Sequence, residues 1–239
     1  AANDGCPRAE DDERVDALNA VTQMDAERAM PILKKVLARR EPCTQQLRRT
    51  AVWLIARQKS PEAASLLMNA AKSDPDREVR EQAVFWLANV SSTEAVDMLI
   101  DLARNSDDLD LRKRAVYALS RAKSEPALAA LRDITTDSKA PEELRAEALG
   151  WYLGRAGASS LQPFSFLTDI FNKADGLPLK QVAMRYIAGQ RTDESRAWLV
   201  TLALNDRESL DLRHTAIAMI PGSGAGAMYI AKPPAPASG

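Results

Sequence analysis

The chain is poor in the residues on which most catalytic and metal chemistry depends. Its 239 residues include one histidine, His214, and two cysteines, Cys6 and Cys43. With one histidine, Ser/His/Asp and Cys/His catalysis have a single possible base and no partner at a telling spacing. A zinc site is excluded on the same count, since no Cys-x-x-Cys pair is present. Charge of one sign is also missing. Lys plus Arg total 32 against 33 Asp plus Glu, which argues against a nonspecific nucleic-acid binder, whose domain should carry a basic excess. The apolar runs fall far short of the roughly 18 residues that cross a bilayer. Aromatics are 5% of the chain, and no useful stretch alternates at period two, so strands are not expected. Gly222-Ser223-Gly224-Ala225-Gly226 superficially suggests a phosphate loop, but it follows a helical pattern and lacks a Lys-Ser/Thr pair, which marks it as linker. No catalytic residue, metal site or cofactor is expected, and the chain does not read as an enzyme.

What is present is repetition. Leu47-Arg48 recurs as Val79-Arg80, Leu111-Arg112, Leu144-Arg145, Leu179-Lys180 and Leu212-Arg213, at spacings of 32, 32, 33, 35 and 33 residues. Four places after each apolar residue stands an alanine: Ala51, Ala83, Ala115, Ala148, Ala183 and Ala216. A period in the low thirties indicates a stacked helical solenoid. Ser60, Ser92, Ser124, Ser159 and Thr192 open segments as hydroxyl N-caps, most of them followed closely by Pro or Glu. Each unit therefore reads as helix A, a polar turn, and helix B carrying the Leu-Arg-x-x-Ala signature.

Asp76-x-x-Val79-Arg80-x-x-Ala83 and Asp108-x-x-Leu111-Arg112-x-x-Ala115 resemble the helix-B pattern of the HEAT-repeat family, including the HEAT-like repeats of bilin lyases. Later units drift: Pro141 takes the aspartate place in one, and Lys180 replaces the arginine in another. The resemblance runs over roughly residues 25–220 as six A–B pairs. It implies an all-α, right-handed α-solenoid with an extra N-terminal capping helix at about residues 11–22. It specifies fold more than function, because scaffolds, adaptors and a few enzymes share it. The organisation expected is an N-terminal arm (1–10), a solenoid (11–220) and a Gly/Ala/Pro-rich tail (221–239) that is extended or mobile. In the 35-residue unit Pro163 falls inside helix A, where it should kink or restart the helix. Phe164, Phe166, Phe171 and Trp198 on the later A helices have the spacing of core residues.

Cys6 lies in the polar arm and Cys43 opens helix B of the first pair. A Cys6–Cys43 disulfide would tie the arm across the exposed end of the stack, with two unrelated free thiols as the alternative. The bridge implies an oxidising compartment, and Ala1-Ala2-Asn3-Asp4 has the look of a mature N-terminus after signal removal. The acidic run Glu10-Asp11-Asp12-Glu13 is expected to stabilise the start of the capping helix through its dipole rather than to bind metal.

Two sets of side chains are candidates for function. Arg48, Arg80, Arg112, Arg145 and Arg213 form a row that could bind anions. The family resemblance implies a structural ladder instead, each arginine pairing the turn aspartate of a neighbouring repeat. The second set comes from helix-B angles. With the signature Leu/Val as zero and about 100° per residue, positions +4, +7 and +8 form the buried stripe, and +6 falls near 240°, on the outward face. There the first three B helices place Trp53, Phe85 and Tyr117. Three rings on adjacent helices would form a ladder with steps of roughly 10 Å. Arg49 and Lys113 flank them at +2, making a groove suited to a partner helix or extended peptide. The alternative is that the rings fold back and complete the core. In later repeats Gly150, Arg185 and Ala218 occupy +6, so the aromatic groove belongs to the N-terminal half.

The functional expectation is a non-catalytic protein–protein interaction scaffold, an extracytoplasmic (periplasmic or secreted) accessory subunit of a larger complex, membrane-embedded assemblies included. Its partners are other protein subunits rather than nucleic acid, and it has no transmembrane segment of its own. The alternatives are a freestanding peptide-binding adaptor and a HEAT-like lyase or chaperone acting on a cofactor-bearing protein.

Overall fold

The computed structural model describes Cys6 and residues 12–58, 60–90, 92–155 and 163–220. The rest of the N-terminal arm, Ser159 with its neighbours, and the tail from Pro221 with its glycine run lie outside the described residues. Among the described residues there are thirteen α-helices and no strand. They are α1 (Glu13–Asn19, followed by a 3-10 turn Ala20–Gln23), α2 (Ala26–Leu37), α3 (Gln45–Arg57), α4 (Glu62–Ser73), α5 (Arg77–Leu87), α6 (Thr93–Asn105), α7 (Leu109–Arg121), α8 (Glu125–Thr136), α9 (Glu142–Arg155), α10 (Phe164–Asn172), α11 (Leu177–Gly189), α12 (Asp193–Ala203) and α13 (Leu210–Met219). After α1, the helices alternate as A and B members of six pairs, and the fold is all-α among the described residues.

Packing divides the chain into two compact units, Ala1–Leu131 and Arg132–Gly239. In the first, α2 packs on α3, α4 on α5 and α6 on α7, while the B helices α3, α5 and α7 lie side by side. Helix α1 rests on α3, where the B helix of an earlier repeat would lie. In the second unit α10 packs on α11 and α12 on α13, and α11 adjoins both α9 and α13.

The sequence punctuates these helices through their caps. Asp76 and Asp108 are the N-caps of α5 and α7, accepting the backbone N–H of Val79 (3.0 Å) and of Asp110 and Leu111 (3.0 and 3.2 Å). The turn aspartate of the repeat therefore starts helix B by taking up an orphan donor. Ser92 and Thr192 cap α6 and α12 in the same way. Ser60 stands one place further out: Pro61 precedes α4, and the Ser60 hydroxyl accepts the N–H of Glu62 at 3.3 Å. The capping element starts at Glu13, because Asp12 is its N-cap and accepts the N–H of Arg14, and its last turn, Ala20–Gln23, is 3-10 rather than α.

Two expectations change. Pro163 is not inside a helix; it stands in extended conformation directly before α10, since a proline supplies no N–H for an interior turn. Cys43 does not open helix B but occupies the preceding turn with φ 62°, and α3 begins at Gln45.

The buried stripe of helix B is also wider than the expected +4, +7 and +8. Position +5 holds Val52, Val84, Val116, Leu149 and Met184, all with no accessible surface. Position +7 is mixed, from the buried Leu54 and Ala118 to the exposed Trp151. A B helix meets its A partner and B neighbours on both flanks, so more than one stripe of it leaves water. In α13 the +5 residue, Ile217, is 39% exposed, and no further helix follows it among the described residues. Phe171, buried on α10, meets Trp198 of α12 edge to face at 4.9 Å.

Candidate protein-binding groove

Each arginine of the ladder reaches back to the end of its own A helix. Arg112 Nε donates to the Ala103 carbonyl (2.9 Å), Arg145 Nε to Thr135 (3.1 Å) and Arg213 Nε to Ala203 (3.0 Å). Arg80 Nη1 donates to the carbonyls of Asp74 (2.8 Å) and Pro75 (3.2 Å). These carbonyls lack partners within their own helix, and a cation there also meets the negative end of the helix dipole. Pairing with an acid in the next repeat's turn occurs at Arg48, which binds Asp74, and at Lys180, which binds Glu208 at 3.0 Å. Among the described residues Arg80, Arg112 and Arg145 meet only carbonyls, the place of Asp74 being taken by Ser106, Lys139 and Ala174 in the repeats that follow them, while Arg213 also binds Asp206 in the turn of its own repeat at 2.9 Å.

Trp53, Phe85 and Tyr117 occupy equivalent places on α3, α5 and α7, and all three are half-buried. They are not the fully outward ladder that the helix angles suggest. Phe85 and Tyr117 stack with centroids 5.9 Å apart and planes 15° from parallel. The rings lean across the seam between adjacent B helices, shedding apolar surface, so their spacing falls below the helix spacing. Trp86 meets Phe85 edge to face at 5.0 Å.

Trp53 and Phe85 open into a depression of about 410 Å³ between α1, α3 and α5. Val15 and Asn19 of α1 form one wall, Gln46, Arg49 and Thr50 of α3 the floor, and Gln82 and Trp86 of α5 the far side. Tyr117 and Lys113 stand outside it, on α7. Trp86 was not legible as a site residue, since +7 belongs to the expected core stripe. Its only signal was size, a tryptophan where the other repeats mostly carry smaller side chains. A larger depression of about 700 Å³ lies at the α5–α6 and α7–α8 loops, lined among others by Ser92, Arg121, Lys123 and Ser124.

The floor is held by ion pairs between successive repeats. Arg49 binds Asp76 (3.5 Å) and Glu78, both at the start of α5. Its Nε is buried without an acceptor. Arg77 repeats the arrangement one step along, reaching Asp108 (3.5 Å) and Asp110 (2.6 Å) on α7 and Glu81 (3.0 Å) on its own helix. Arg114 closes the set on Glu81 at 2.8 Å. The α1 wall is tethered at its N-terminal end. A Cys6–Cys43 disulfide is present, and Arg14 links the Cys43 carbonyl (3.0 Å) to the Asp12 carboxylate (2.8 Å through each of two nitrogens). Hydrogen bonding from Arg14 holds the Asp12 carboxyl below its ordinary pKa, against the opposing effect of burial.

No cluster of His, Cys, Asp and Glu suited to a metal occurs among the described residues, and His214 is exposed on α13. No described helix is long and apolar enough to cross a membrane.

The model of HEAT repeats matches residues 7–84 and 65–150. No curated protein matches the sequence. Among solved structures, the chain is similar to one in the complex of CpcE and CpcF of phycocyanin lyase from Nostoc sp. PCC7120. The two are 21% identical over 78% of this chain and 74% of that one, with a TM-score of 0.44. The HEAT match alone runs over more than half of the sequence, and it falls on the helix pairs that the caps and seams define. This chain belongs to the HEAT-repeat family.

Proposed function

We propose that this protein is a non-catalytic interaction scaffold, an accessory subunit that works outside the cytoplasm as part of a larger protein complex, at a membrane surface or on a membrane-embedded assembly. The observation that carries this reading is the depression between α1, α3 and α5, in which Trp53, Phe85 and Trp86 remain partly open to water. Tryptophan and arginine dominate the energetics of protein interfaces, and clustered rings ringed by hydrogen-bonding side chains match the composition of their cores. The polar groups present, Gln46, Thr50 and Gln82, can satisfy the backbone of a bound helix or extended segment without chemistry. The disulfide supports an oxidising compartment.

The test is Trp53→Ala in the full chain, with Trp53→Phe as its conservative partner. Co-purification with native partners should be lost with Ala and largely kept with Phe, while circular dichroism and melting show both variants folded. Undiminished association of a folded Trp53→Ala protein would remove the groove from the reading. Mass spectrometry of the native chain under non-reducing conditions should find Cys6 linked to Cys43, and reduced thiols there would overturn the compartment.

A further inference from the structure

The acids along the B helices of the first unit are already engaged. Asp76 caps α5 and binds Arg49, Glu78 binds Arg49, Glu81 binds Arg77 and Arg114, and Asp108 and Asp110 bind Arg77. Two cations are left over. Arg57 and Arg121, in the last turns of α3 and α7, are exposed, and no carboxylate pairs with either among the described residues. Each guanidinium rests on a groove ring instead: Arg57 lies 5.3 Å from the centre of Trp53, and Arg121 lies 6.0 Å from the centre of Phe85. The helix dipole accounts for a cation in a final turn. It does not account for a long, hydrated side chain laid over an aromatic face rather than extended into water. Over a ring, the guanidinium keeps its in-plane donors free for a planar acceptor such as a carboxylate.

The charge is also uneven. Along α3, α5 and α7 with their caps Asp76 and Asp108 there are nine Lys and Arg against five Asp and Glu, a surplus of four, in a chain whose net charge is −1. From the surplus and the two ring-bound arginines we infer that the groove takes an acidic protein segment with an aromatic or large apolar anchor. The anchor seats among Trp53, Phe85 and Trp86, and carboxylates beyond the depression bind Arg57, at the end of α3, and Arg121, on α7 at the edge of the neighbouring depression. Helices α3 and α7 are two packing steps apart, roughly 20 Å, a span that about 13 residues of helix or about six of strand would cover. This rests on the depression being a binding groove.

The experiment uses the oxidised full chain and two labelled 16-residue peptides, each with a central Trp-Leu pair, one carrying Glu on both flanks and the other Gln. Fluorescence anisotropy should show the Glu peptide binding about tenfold more tightly, with the advantage shrinking at high salt. Arg57→Gln/Arg121→Gln should erase that advantage without lowering the melting temperature, since both side chains are exposed. Trp53→Ala should weaken both peptides. Equal binding of the two peptides, or an advantage that survives the double substitution, overturns the acidic partner and leaves the groove standing. Failure of both peptides to bind overturns the groove as well. Displacement of the Glu peptide by a single-stranded oligonucleotide at equal charge would reassign the surface to phosphate.

Discussion

Arg48 of α3 donates from Nε (2.9 Å) and Nη2 (3.1 Å) to the two carboxylate oxygens of Asp74, in the turn of the next repeat, and both side chains are buried. Arg48 Nη1 binds Thr44 Oγ1 (2.9 Å) and the Arg39 carbonyl (3.3 Å), and the Asp74 carboxylate also accepts the N–H of Asp76 (2.9 Å). The pair joins the end of one A helix to the turn of the next.

Removing one partner strands the other. Asp74→Ala should destabilise the protein by about 3–5 kcal/mol, the usual cost of leaving a buried charge uncompensated. Arg80→Ala, which loses bonds only to two carbonyls, should cost about 1 kcal/mol. Urea unfolding of the two variants checks the ratio. Equal losses would mean that Arg48 finds another acceptor.

The disulfide closes a loop with a sequence separation of 37. In the chain-entropy model this is worth about 4 kcal/mol. Cys6→Ser/Cys43→Ser should lower stability by up to that amount. Amide exchange should accelerate chiefly in α1, whose anchor is the Cys43 turn. The affinity of the groove should fall with it, because Val15 and Asn19 form one wall. Exchange unchanged in α1 would show that Val15, Leu18 and Val21, all buried, hold the helix unaided.

Asp12 makes stability depend on acid pH. Its folded-state pKa is lowered by Arg14, so its contribution is fully present above the unfolded carboxylate value of about 4 and is lost as pH falls through the folded value. The melting difference between the parent protein and Asp12→Asn should be constant from neutral pH to about pH 5 and should shrink below about pH 4. A difference that grows on acidification would mean that folding raises the Asp12 pKa rather than lowering it.

Helix α11 is capped from outside its own repeat. Gly176 at its N-cap has no side chain to offer, and Glu142 of α9 accepts the N–H of Leu179 at 3.4 Å. A Cβ on Gly176 would lie 3.0 Å from the Glu142 oxygens. Glu142→Ala should cost about 1 kcal/mol, and Gly176→Ser should recover much of it in that background only. In the parent protein Gly176→Ser should displace Glu142 and gain little. Thermal unfolding of the three variants completes the cycle.

The helix order, the six pairs and the capping places were legible in the sequence because every contact in a solenoid runs between neighbours. An amphipathic stripe, a hydroxyl or aspartate cap and a proline boundary act within a few residues, and the period repeats them. The pairing of Cys6 with Cys43 was open to two readings, since thiols far apart in sequence announce nothing of their geometry. The side-chain pairings were not legible. Whether a ladder arginine meets a carboxylate or a carbonyl depends on what stands at the equivalent place one repeat on: Asp74 for Arg48, Ser106 for Arg80. Whether +6 rings point outward depends on the seam between B helices, which draws Phe85 and Tyr117 together. Glu142 caps α11 because Gly176 leaves room for it, and Trp86 joins the groove because +7 is only partly covered. The single sequence determined the repeat and its helices through local periodicity. Tertiary packing decided the partners, because each is chosen by a residue some thirty positions away.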